Sequence, residues 1–176
     1  ERQGFLGGSL ELITSQTITS MTSAIDFTNV FTDKYDVYFL KTKKVQSSVN
    51  GYTVGIQFYE SGVLESAGVY HFALQGGRTN GTFGEGRSTT QTEIGIGADT
   101  NTDSGNSSNS YTYIYNPTNS SKYTFLTMHA TGQYDAVANI RFGGGALPQA
   151  STVDGFRLKN TTTGNITGEF FLYGVK

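Results

Sequence analysis

The feature that most limits what this chain can become is a period of two. Apolar and polar residues alternate through many short segments separated by Gly, Asn, Ser and Asp, and helical periodicity is nearly absent. An alternating segment buries one side when extended, so the chain must pair strands and stack sheets. The alternation predicts strands near Leu10–Thr19, Ala24–Phe27, Tyr35–Val45, Tyr52–Tyr59, Val69–Leu74, Glu93–Gly97, Ser110–Tyr115, Tyr123–Ala130, Ala136–Phe142, Val153–Lys159 and Glu169–Val175. Asn50-Gly51 predicts a type I′ hairpin turn, and Asn29–Asp33 a short helical turn or a loop.

Composition agrees. Gly, Thr, Ser and Asn make 75 of 176 residues, charged residues 15% and aromatics 13%. Thr, Tyr and Phe suit a pleated surface, while Gly and Asn suit turns. Such low charge with so many rings does not describe a disordered chain. The expected fold class is therefore all-β: an antiparallel β-sandwich, jelly-roll-like, as a single domain over residues 1–176. The opening Glu1-Arg2-Gln3 lacks Met, so 1–9 is expected as an arm or as the remnant of a removed upstream segment.

Two stretches read as long surface loops, the glycine-rich Gln75–Gln91 and the polar Ala98–Asn109. Gly143-Gly144-Gly145 reads as a loop as well. With a net charge of −2, the one cationic cluster, Lys41, Lys43 and Lys44, fits a solvated strand edge, and no nucleic-acid partner is expected. No apolar run approaches the ~20 residues of a membrane helix, so no membrane partner is expected either.

Catalytic constellations are hard to assemble. There is no cysteine and no Gly-x-Ser-x-Gly elbow, and the two histidines, His71 and His129, each sit singly on a strand face. Glu60 with Glu65 and Glu85 with Glu93 are weak carboxylate pairs. Asp99, Asn101 and Asp103 alternate as in the first half of a calcium loop. The glycine falls one place late, however, and Ser110 stands where a bidentate glutamate belongs. Neither a metal nor a cofactor is expected, and the chain is read as a non-enzyme.

Tyr111-Thr112-Tyr113-Ile114-Tyr115 places three tyrosines on one side of a strand. Two orientations are open. The tyrosines can pack into the core with hydroxyls at its rim, or stand outward as a ladder for sugars or proteins.

Three segments carry a resemblance: Leu10–Ile13 with Ile25-Asp26-Phe27 and Tyr35–Leu40; Asn116–Tyr123; and the close Gly168-Glu169-Phe170-Phe171-Leu172-Tyr173-Gly174-Val175. Across most of its length the chain resembles virion proteins of tailed bacteriophages, especially marine ones, with the final Leu-Tyr-Gly element the most specific part. The long Gln75–Gln91 stretch and the absence of Trp depart from that pattern. The resemblance implies a jelly-roll-like or sandwich module on a particle, as capsid decoration, head fibre or tail fibre, and no catalytic residues. The expectation is a virion-located structural protein that contacts other virion proteins and itself, with a trimer favoured. The alternative is a receptor- or carbohydrate-binding module taking a host-surface glycan on Tyr111, Tyr113 and Tyr115.

Overall fold

The computed structural model describes residues 9–103 and 105–176, which form thirteen strands and no helix. The expected arm at 1–9 lies, Ser9 apart, outside the described residues. In chain order the strands begin with β1 (Leu10–Thr22), β2 (Ala24–Phe27), β3 (Val37–Ser47), β4 (Val54–Glu60) and β5 (Val63–Leu64). Next come β6 (Tyr70–Arg78), β7 (Phe83–Gln91), β8 (Ile94–Gly95) and β9 (Ser108–Tyr115). The last four are β10 (Thr124–Tyr134), β11 (Val137–Leu147), β12 (Val153–Asn160) and β13 (Ile166–Val175).

Two antiparallel sheets result. The larger runs β1-β13-β3-β9-β10-β11-β6-β7, and the smaller β2-β12-β4-β5 with β8 also on β4. A jelly roll lies inside this arrangement. Strands β1-β13-β3-β9 form one four-stranded layer and β2-β12-β4-β8 the other. Apart from β4 and β8, which pair directly, successive members of this set alternate between the layers, giving the two Greek keys of that fold. Two excursions widen the larger sheet. β6–β7 leaves between β4 and β8, β10–β11 leaves between β9 and β12, and the two meet where β11 pairs with β6.

Between the layers the inward residues of each strand interdigitate. Phe27 stacks on Phe156 with ring centroids 4.6 Å apart, and Phe31 meets Tyr38 edge-on at 4.6 Å. Leu40, Ile56, Phe58, Ile114, Leu158, Phe170 and Leu172 are fully buried around them. Buried phenols need partners. Tyr38 Oη donates to the Thr32 carbonyl and accepts from its amide at 2.8 and 2.7 Å. Tyr70 Oη donates to the Glu65 carbonyl and accepts from the Phe58 amide at 2.9 and 2.8 Å.

Several expectations are corrected. Asn50-Gly51 does turn, with Gly51 at φ +75°, but it joins β3 in the larger sheet to β4 in the smaller and makes no hairpin. The two-residue turn with both φ positive is Ser61-Gly62, between β4 and β5. Of the two alternatives for Asn29–Asp33, the structure takes the loop. Most of Gln75–Gln91 is strand, as are Gly143–Gly145 in mid-β11, because ladder hydrogen bonds come from the backbone and need no side chain. Ala98–Asn109 is not simply solvated: Ala98, Asp99, Thr100, Asn101 and Asn106 are buried, held by side-chain hydrogen bonds. The lysine cluster lies on β3, an interior strand between β13 and β9, not an edge.

Candidate functional site

The outward face of the larger sheet is where the chain leaves its rings uncovered. Register builds it row by row. One row crosses Leu12, Tyr173, Phe39, Tyr113 and Thr127; the next crosses Phe171, Lys41, Tyr111, His129 and Phe142. A third brings Val37, Tyr115 and Phe125 together beyond them. Tyr111, Phe125 and Phe142 keep 45%, 47% and 47% of their surface exposed.

The rings touch one another. Phe39 lies 5.0 Å from Tyr113, 6.0 Å from Tyr173 and 6.2 Å from Tyr111, centroid to centroid. Tyr111 meets His129 at 5.6 Å and shares a hydrogen bond of 3.1 Å with its Nδ1; Phe142 follows at 6.3 Å from His129. The hydroxyls of Tyr115 and Thr127 are 3.0 Å apart. Each ring offers apolar area at low entropy cost, and each hydroxyl a directional bond.

The face is graded along the strands. Its Val37–Tyr115–Phe125 end is apolar, and its opposite end carries the lysines. A bulge at Lys43–Lys44, where Lys44 takes φ +53°, turns both ammonium groups onto Glu169, at 2.9 and 2.6 Å. Lys44 first, then Lys43, holds the Glu169 carboxyl down to about 2 by hydrogen bonding. Lys41 has no acidic partner among the described residues; its Nζ lies 6.0 Å from the Phe171 ring. Beside it an open groove of about 630 Å³ is lined by Phe39, Lys41, Lys43, Asn109, Tyr111 and His129.

The smaller sheet's outward face is the opposite in character. Arg157 grips Asp26 through two bonds of 2.7 and 3.0 Å and holds its carboxyl below the ordinary range. Tyr59 Oη donates to the same carboxylate at 2.8 Å. Gln57 Nε2 donates to the Thr92 carbonyl, and Lys159 reaches Glu93 at 3.4 Å. That face satisfies its own polar groups.

Of the two orientations open for Tyr111, Tyr113 and Tyr115, the structure takes the outward one, while Thr112 and Ile114 point into the core. His71 and His129 stand on β6 and β10 with β11 between them, so they do not meet. Glu60 accepts from Ser151 and Glu65 from Gln149, while Glu85 is paired with Arg87 and Glu93 with Lys159. The calcium reading fails at Asp99, whose carboxylate turns away to bridge Arg78 at 2.9 Å and Arg141 at 3.1 Å. A buried carboxylate takes the cations nearest it. Asn101 Oδ1 is already occupied by the Asp103 amide and Asn106 Nδ2. Ser104 of that stretch lies outside the described residues. Among the described residues no three His, Asp or Glu side chains are grouped to hold a metal.

Reading the tyrosines alone missed Phe39, Lys41, His129, Phe142, Phe171 and Tyr173. Each lies on the outward parity of its own alternating segment, but only strand order brings them beside Tyr111.

Comparison with family models, with characterised proteins and with solved structures finds no match for this chain.

Proposed function

We propose that this chain is a non-catalytic structural and attachment module of a virus particle, a decoration or fibre component that works through protein and glycan contacts on the outward face of its larger sheet. The observation that carries the reading is the asymmetry of the sandwich. One outward face is closed by its own ion pairs, and the other presents a continuous floor of half-exposed rings. Water-facing aromatic area of that extent marks a contact surface. Jelly-roll connectivity and the resemblance of the Leu-Tyr-Gly close to phage virion proteins support placing it on a particle. In this reading the chain self-associates, as a trimer, and docks on other virion proteins through the apolar end of the face.

Particles banded from the native source and analysed by quantitative mass spectrometry should contain the chain at a fixed copy number. Absence from such particles, or turnover of a substrate by the purified protein, would overturn the proposal.

A further inference from the structure

We propose that the lysine end of the aromatic face is a binding groove for an acidic oligosaccharide, with sugar rings lying on Phe39, Tyr111 and His129 and a sugar carboxylate on Lys41. The inference rests on the attachment reading above and names the ligand chemistry of one part of that surface.

Charge complementarity selects an anion. Three lysines stand here against one glutamate, on a protein whose net charge is −2. Glu169 is saturated by Lys43 and Lys44, which leaves Lys41 as the cation without a counter-charge. It stands in one register row between Phe171 and Tyr111, with His129 and Phe142 beyond. The next acid along that row, Glu85, is engaged by Arg87 at 2.9 Å. An exposed ammonium 6.0 Å from the Phe171 ring and free of a counter-charge is open to a charge-assisted bond from an arriving carboxylate.

The floor selects a sugar. Ring centroids step across it at 5.0 to 6.4 Å without closing over it, so the groove suits an extended ligand with repeated C–H faces rather than an enclosed small molecule. Hydroxyl partners border the rings. Tyr111 Oη and the exposed Thr131 are available, as is the amide nitrogen of Asn109, whose Oδ1 is already taken by the Lys44 amide. Few polar groups around an apolar floor are what fix a ligand's orientation. Single-stranded nucleic acid also stacks on rings and carries anions, but it requires a basic track along the backbone. One unpaired lysine does not provide it.

The test uses the full chain with hexagalacturonate, its neutral methyl ester and an oligodeoxythymidine of equal length, followed by calorimetry and amide chemical-shift mapping. Hexagalacturonate should bind and shift the amides of Tyr111, His129 and Lys41, with the methyl ester weaker. Lys41→Gln should weaken hexagalacturonate by about tenfold or more, the loss expected for one charge-assisted bond, and bring it level with the ester. Lys122→Gln, which removes the same charge from an exposed loop, should change neither. Tyr111→Ala should weaken both sugars, and thermal unfolding of each variant reports that it is folded. No binding of hexagalacturonate, equal effects of the two lysine substitutions, or tighter binding of the oligodeoxythymidine would overturn the inference. Particle copy number is read separately. A chain present on particles but blind to acidic sugars sinks the groove alone, and one that binds sugars but is missing from particles sinks the virion reading alone.

Discussion

Asn160 Nδ2 donates to Ser47 Oγ across 2.6 Å, both residues having no exposed surface, and so ties the end of β12 in the smaller sheet to the end of β3 in the larger. Ser47 Oγ also donates to the Val49 carbonyl and accepts from the Val49 amide, while Asn160 Oδ1 accepts from the Thr162 amide. The Ser47 hydroxyl is fully used, donating once and accepting twice. Asn160→Ala removes the link between the sheets and leaves a cavity where a fully buried amide stood, so chemical denaturation should show a loss of about 2 kcal/mol. A change under a few tenths would show that water replaces the amide.

Gly174 is inward on β13 directly under the ring of Tyr35, where an added methyl group would collide with three ring carbons. Gly174→Ala should therefore cost about 2 to 3 kcal/mol of stability through overpacking. Trimming the ring in the double variant Gly174→Ala/Tyr35→Leu should make the two losses less than additive, because the sites touch. Strict additivity in a double-mutant cycle would refute the contact.

Acid should weaken the fold through two carboxylates held by lysines at the surface. Glu169 and Glu11 have carboxyls lowered from the ordinary 4.5 to about 2, by Lys44 and Lys43 in the first case and by Lys34 foremost in the second. A carboxyl lowered in the native state contributes stability above its unfolded value and loses it as pH falls through the native one. Thermal unfolding should therefore decline between pH 4.5 and about 2. Both pairs are at the surface, so the decline should shrink in high salt. Glu169→Gln should flatten part of it, and an unchanged slope would exclude the Glu169–lysine contacts as its source.

Phe125 lies at the apolar end of the outward face, 47% exposed. Phe125→Ser should change unfolding by less than about 1 kcal/mol, yet reduce the oligomer seen by sedimentation velocity. Sugar binding at the lysine end should be retained. Self-association indifferent to this substitution would move the protein contact elsewhere.

Where side chains alternate, strands could be read directly. Ala24–Phe27 matches its span, and β12 and β9 extend theirs by one and two residues, because side chains keep parity through β2 and β9 and through β12 after its bulge at Val153–Gly155. Glycine erases parity. Gly76, Gly77, Gly84 and Gly86 therefore hid the distal half of the β6–β7 hairpin, and Gly143–Gly145 the middle of β11. At Gly145 an added Cβ would press on Ile94, so the missing side chain lets the segment after β7 pack close against the ladder. Burial of polar chain was equally hidden. Asn139, whose side chain accepts from the Asp99 amide and donates to its carbonyl, is forty residues away in sequence. The tyrosine ladder was visible, but its orientation was not. Which way Tyr111 points follows from strand order, which sets β9 between β3 and β10 with the small hydroxyl and apolar residues inward.

The β6–β7 hairpin hangs from the rest of the sheet along a single seam, the pairing of Asn139–Ala146 with His71–Arg78, and nothing pairs beyond β7. Unzipping the Leu74–Arg78 half of that seam leaves both Greek keys whole, while the root of β6 stays pinned by Tyr70 in the core, so amide exchange should climb inward, β7 before β6 before β11. The fold thus carries a hinged flap grafted onto a closed box. Its outer half can be lengthened or shortened without reopening the box, its root at Tyr70 cannot be discarded, and losing β10–β11 would strand the flap altogether.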